Sequence, residues 1–112
     1  MDTAASSSHA SAPVLTEVRN AIAHVTLNRP QQFNALSTPV LEALAQTLDR
    51  LAGDASVRVV VIGAAGKAFC PGHDLKEMAA TRTPEFVGAL FDRCCRLMLS
   101  LTRMPQPVIA RV

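Results

Sequence analysis

The sequence predicts an α/β fold, and three observations predict it. Val57 to Ile62 is an apolar, largely β-branched run of the kind that forms a strand buried on both faces. Before it, Val40, Leu41, Leu44, Leu48 and Leu51 recur at helical spacing, and an earlier strand pattern precedes them, so strand, helix and strand make a crossover unit. After it, glycine- and alanine-rich residues 63–72 lead into Asp74-Leu75-Lys76-Glu77. There Asp74 is placed as an N-cap, and Glu77 three residues on completes the reciprocal capping pattern.

Met1 to Pro13 is Ser/Ala-rich, with no apolar core and no arginine, which fits neither a secretory signal nor a transit peptide. It reads as a disordered leader, with cytoplasmic residence as the expectation. Val14 to Val18 and Ala21 to Leu27 read as two strands joined at Arg19-Asn20. Asn28-Arg29-Pro30 ends the second, because proline cannot donate to a ladder and holds Arg29 extended. Ser37 or Thr38 caps the first helix, with Pro39 in its first turn, and the helix runs to Gly53. Asp54 and Ser56 then turn the chain into the Val57 strand. Following the Asp74 helix and a polar break at Thr81-Arg82, Thr83 caps a helix with Pro84 at its favoured first position. Val87, Leu90, Phe91, Cys94, Leu97, Met98 and Leu101 form its apolar stripe, with Met98 and the cysteines as core fillers. Pro105 and Pro107 close that helix, and Val108 begins another strand.

Composition narrows the function. The chain has 112 residues, 49% hydrophobic and 18% charged, enough to form a core. A net charge of +2 with no basic cluster argues against nucleic acid or an anionic membrane, and no apolar run approaches the ~20 residues of a membrane span. Cys70, Cys94 and Cys95 lack C-x-x-C spacing, and the adjacent pair is poorly suited to a disulfide, which fits a reducing compartment. His9, His24 and His73 are scattered, so no metal is expected. Gly63-Ala64-Ala65-Gly66-Lys67-Ala68 lacks both the glycine spacing and the hydroxyl of a phosphate loop. Its small residues, with Gly72, instead leave backbone groups open to a ligand. Cys70 has no activating base near it in sequence. Glu77 and Glu85 suit solvated first-turn positions rather than a catalytic pair.

Ala68-Phe69-Cys70-Pro71-Gly72-His73-Asp74-Leu75-Lys76-Glu77-Met78 resembles the A-F-x-x-G-x-D-[LI]-K-E-M segment of the crotonase (enoyl-CoA hydratase/isomerase) superfamily, and it follows a similar strand. Leu27-Asn28-Arg29-Pro30 and Asn34-Ala35-Leu36 match two further family turns. The resemblance covers Val14 onward and implies a crotonase-type ββα spiral of which residues 14–112 are the N-terminal part, first repeats only.

By position, the resemblance makes the His73 backbone N–H half of an oxyanion hole for a thioester carbonyl. It leaves the role of the imidazole open, as a bystander or as a shaper of acyl specificity, where many relatives carry alanine. Around the loop it places Ala68, Cys70, Gly72, Asp74 and Leu75 at the substrate, with Asp74 as the cap that fixes the loop. It sets Ala35 beside coenzyme A, and Lys67 and Lys76 near its phosphates; Arg29, at the turn after the second strand, either meets a phosphate or is solvated. Coenzyme A enters as part of the substrate, with no covalently bound cofactor. A homotrimer or a hexamer built as a dimer of trimers is expected.

The family's second oxyanion donor and acid/base carboxylates have no counterpart up to Val112. The chain is therefore expected to be a fragment that does not catalyse alone. For the complete protein the resemblance implies enoyl-CoA hydratase or isomerase activity. A non-catalytic acyl-CoA-binding or regulatory protein and a small nucleotide-binding domain are the alternatives.

Overall fold

The computed structural model describes residues 11–112, so most of the expected leader lies outside the described residues. Ala12 and Pro13 are already engaged, their carbonyls accepting from the Asn28 side-chain amide (3.0 Å) and the Asn28 backbone N–H (2.8 Å).

Four strands form one sheet in the order β1 (Val14–Arg19), β2 (Ile22–Leu27), β3 (Val59–Ala64) and β4 (Val108–Ala110). β1 and β2 are an antiparallel hairpin whose last pair is Arg19 with Ile22. The turn is therefore Asn20-Ala21, one residue later than the sequence indicates, with both residues at positive φ (52° and 65°). That handedness matches the twist of a tight hairpin, and Asn tolerates it better than Ala. β3 runs parallel to β2, with Ile22 opposite Val59 and Leu27 opposite Ala64, and β4 runs parallel to β3.

Three helices accompany the sheet: α1 (Thr38–Ala52), α2 (Leu75–Ala80) and α3 (Pro84–Arg103). A 3₁₀ turn at Pro30–Gln32, absent from the sequence reading, separates β2 from α1. Thr83 caps α3 as expected, its hydroxyl accepting the Phe86 N–H at 3.1 Å. The core joins Ala23, Val25 and Leu27 of β2 and Val60 and Ile62 of β3 to the apolar face of α1. Leu90 and Leu97 of α3 complete it.

Two expectations are corrected. β3 is not buried on both faces. Val60 and Ile62 are buried while Val59 and Val61 are half-buried, because α1 and α3 contribute to the same core as one alternating set of strand residues. Likewise the α3 stripe is only partly core. Leu90 and Leu97, seven residues apart, form the buried line, whereas Phe91 and Met98, one position further round, are 45% and 42% exposed, and Cys95 is exposed.

Candidate functional site

The site begins with a buried asparagine. Asn34 is fully buried and sits in the left-handed region (φ 60°). Its Oδ1 accepts the Arg29 N–H at 2.7 Å, while its Nδ2 donates to the carbonyls of Ala65 (2.8 Å) and Ala68 (2.9 Å). One side chain thus ties the turn after β2 to the loop after β3, leaving none of its main polar capacity idle in a dry setting. Gly66 completes this junction. Its φ is +84°, and a Cβ there would come within 2.7 Å of the Pro30 Cβ.

Two residues beyond Asn34, the Leu36 N–H donates to the Gly72 carbonyl at 2.7 Å, and Leu36 forms an isolated parallel bridge with His73. A trans peptide holds the carbonyl of one residue and the N–H of the next pointing in opposite directions, and no cis peptide is present among the described residues. The His73 N–H therefore points away from Leu36. It donates to no partner among the described residues. Gly72 itself has φ +110°, a conformation that disfavours other residues.

Two residues further, the Thr38 N–H at the start of α1 donates to both oxygens of Glu77, at 3.0 and 3.1 Å. Ser37, the N-cap of α1, makes no side-chain cap of its own. On α2, Asp74 Oδ1 accepts the N–H groups of Lys76 (3.0 Å) and Glu77 (3.2 Å), the expected cap. The other half of the expected reciprocal pattern is corrected: the Glu77 carboxylate caps α1 rather than returning to Asp74. It is consequently half-buried rather than fully solvated.

Beside these backbone groups lies a cavity of about 660 Å³. Six residues expected at the site line it: Ala35, Gly72, His73, Asp74, Leu75 and Lys76. Four do not. The Arg29 guanidinium donates to the carbonyls of Asn28 (2.8 Å) and Ser11 (3.1 Å), bracing the chain before β1. Lys67 is exposed on the loop, the Ala68 carbonyl is occupied by Asn34, and Cys70 packs against the core. Cys94 also packs there, and burial with the nearby Cys95 and Cys70 thiols pushes its thiol up from the ordinary range, away from reactivity.

Sequence reasoning missed Asn34, the true partner of Glu77, and the aromatic residues Phe33 and Phe91 on the cavity. The Asn34 signal was present, since asparagine after a proline turn suits a left-handed residue. Phe91 reaches the site only through the packing of α3, with its ring 4.8 Å from that of His73. Chemically, the arrangement offers the His73 N–H, one of several loop amides without a partner among the described residues, beside a largely apolar cavity. Asp74 is the one carboxylate among its described lining residues, and it is committed to helix capping.

Comparison with known proteins gives the family and the fold. The sequence model of the enoyl-CoA hydratase/isomerase family matches residues 17–112. The chain is 38% identical over 109 residues to the Xenopus laevis enoyl-CoA hydratase domain-containing protein 3, mitochondrial, covering 96% of this chain and 37% of that protein. A crystal structure of enoyl-CoA hydratase from Mycobacterium smegmatis superposes with a TM-score of 0.86 at 51% identity, covering 89% of this chain and 39% of that one. Human enoyl coenzyme A hydratase domain-containing protein 3 superposes with a TM-score of 0.84 at 30% identity, covering 89% and 40%. The chain thus spans about 37% of the length of the curated relatives it matches.

Proposed function

The chain belongs to the enoyl-CoA hydratase/isomerase family, with a fold matching the N-terminal part of its relatives, and from that premise we propose that it binds the acyl thioester of coenzyme A and contributes one oxyanion donor, the His73 N–H. The observation that carries this reading is the unpaired His73 amide, turned away from the Leu36 bridge at the side of an apolar cavity.

Addition of water to an enoyl thioester, or removal of a proton next to its carbonyl, moves negative charge onto the carbonyl oxygen. An N–H fixed in advance stabilises that oxygen without reorganising, and loss of one such donor costs ~2.7–4 kcal/mol. Leu36 and Asn34 supply the fixing. Lys76, which lines the cavity, and Lys67, exposed on the loop, are assigned to the phosphates of coenzyme A; a cation serves a phosphate as a point charge even from an exposed position. Asp74 is assigned no proton transfer, so this chain by itself is expected to bind without turnover. For the protein that carries it, the reading is hydratase or isomerase activity on an enoyl-CoA in a homotrimer or hexamer.

The test is turnover of a trans-2-enoyl-CoA by the protein carrying this chain, compared with a variant whose His73 amide is replaced by an ester through the corresponding α-hydroxy acid. The ester removes the N–H and keeps the side chain. A loss of about a hundredfold in turnover supports the reading; unchanged turnover ends it.

A further inference from the structure

The cavity beside the His73 amide is walled by the side chain of the same residue. The imidazole meets the Phe91 ring edge to face, with centroids 4.8 Å apart and planes at 81°. Both residues line the cavity together with Phe33, Leu75 and Met78. His73 Nδ1 is buried without a hydrogen-bond partner among the described residues. A nitrogen sealed in this way is out of reach of a ligand's protons, so the imidazole contributes shape rather than acid/base chemistry at that atom.

We infer that the His73 and Phe91 side chains, held edge to face, form the end wall that limits the length of the acyl chain the protein accepts. This rests on the reading that the thioester carbonyl meets the His73 amide. A carbonyl oxygen about 2.9 Å from that nitrogen brings the neighbouring acyl carbons close to the His73 side chain. Hydrocarbon is what Phe33, Leu75 and Met78 are suited to receive. Two rings in mutual contact have few rotatable bonds and yield less than a flexible Met78 would.

Burial of each further methylene is worth about fourfold in affinity, and it stops contributing once the chain meets a wall. Equilibrium binding of butanoyl-, hexanoyl-, decanoyl- and hexadecanoyl-CoA to the protein carrying this chain reads that limit directly. In His73→Ala and Phe91→Ala, affinity should go on rising by about fourfold per methylene beyond the length at which the unsubstituted protein levels off. Phe91→Trp should make it level off earlier, and coenzyme A without an acyl group should bind the Phe91 variants as it binds the unsubstituted protein. Circular dichroism checks folding, and Phe91→Leu with Phe91→Trp serve if an alanine variant does not fold. Acyl-CoA binding with the same plateau in every folded variant overturns the wall and leaves the oxyanion reading standing. No binding of any acyl-CoA by the folded, unsubstituted protein overturns both.

Discussion

The carboxylate of Glu77, on the first turn of α2, accepts the Thr38 N–H of α1 with oxygens at 3.0 and 3.1 Å, so one acidic side chain caps a helix that begins 39 residues earlier. The bond satisfies an orphan donor and sets a negative charge at the positive end of the helix dipole. Glu77→Ala should lower unfolding stability by about 1–2 kcal/mol, and Glu77→Gln, which keeps an acceptor without the charge, by less than half of that. Urea denaturation of the three proteins checks the order; equal loss in Gln and Ala would assign the effect to charge alone.

Asn34 stands at the other end of the same contact. Asn34→Ala leaves the Arg29 N–H and two loop carbonyls without their partner, at about 1–3 kcal/mol for each group that water does not reach. Asn34→Asp should be worse than its similar size suggests, since a carboxylate oxygen would face the carbonyls of Ala65 and Ala68. Asn34→Gly keeps the left-handed backbone free of strain, so its difference from Asn34→Ala isolates the backbone contribution. Thermal unfolding ranks the three, and amide exchange across residues 63–72 should quicken in each.

Gly63, near the end of β3, and Gly66, on the loop that follows, should behave oppositely. Gly66→Ala places a methyl group against Pro30 at a positive φ and should cost about 1–3 kcal/mol. Gly63→Ala meets nothing within 4 Å and should change stability by no more than ~0.5 kcal/mol. Chemical denaturation of the pair is the measurement, and similar losses would contradict the close approach of loop and turn.

In the core, Leu48 of α1 is 1% exposed and belongs to the cluster that joins the helix to β2 and β3. Leu48→Ala should cost about 2–5 kcal/mol, through lost burial and the cavity it leaves. Met98→Ala, at a half-exposed position on α3, should cost less than 1 kcal/mol, although both residues fall on apolar stripes.

Local signals in the sequence were read well, and non-local ones were not. The Thr83-Pro84 start of α3, the Asp74 cap and the apolar face of α1 each depend on neighbours within a turn of helix, and each appears as expected. The Glu77 carboxylate satisfied the same local rule yet bonds elsewhere, because the start of α1 lacked a side-chain cap and lay within reach only after folding. Apolar periodicity also could not tell Leu90 from Phe91. Which side of α3 meets α1 is decided by packing, and the stripe was broad enough to face either way. At the cavity, Gly72 to Lys76 arrived together, whereas Arg29, Lys67, Ala68 and Cys70 did not line it, although Ala68 and Cys70 belong to the same contiguous motif.

Asn34, Leu36 and Thr38 reach across to the segment 65–77 at every second residue, by side chain, amide and amide in turn. Such a seam tolerates substitution far better than a change of length. One residue inserted between Asn34 and Leu36 would put the later teeth out of phase with the Gly72 carbonyl and the Glu77 carboxylate at once. The short stretch joining the first hairpin to its helix is in effect a ruler, and its count, more than its chemistry, decides where the free amide points.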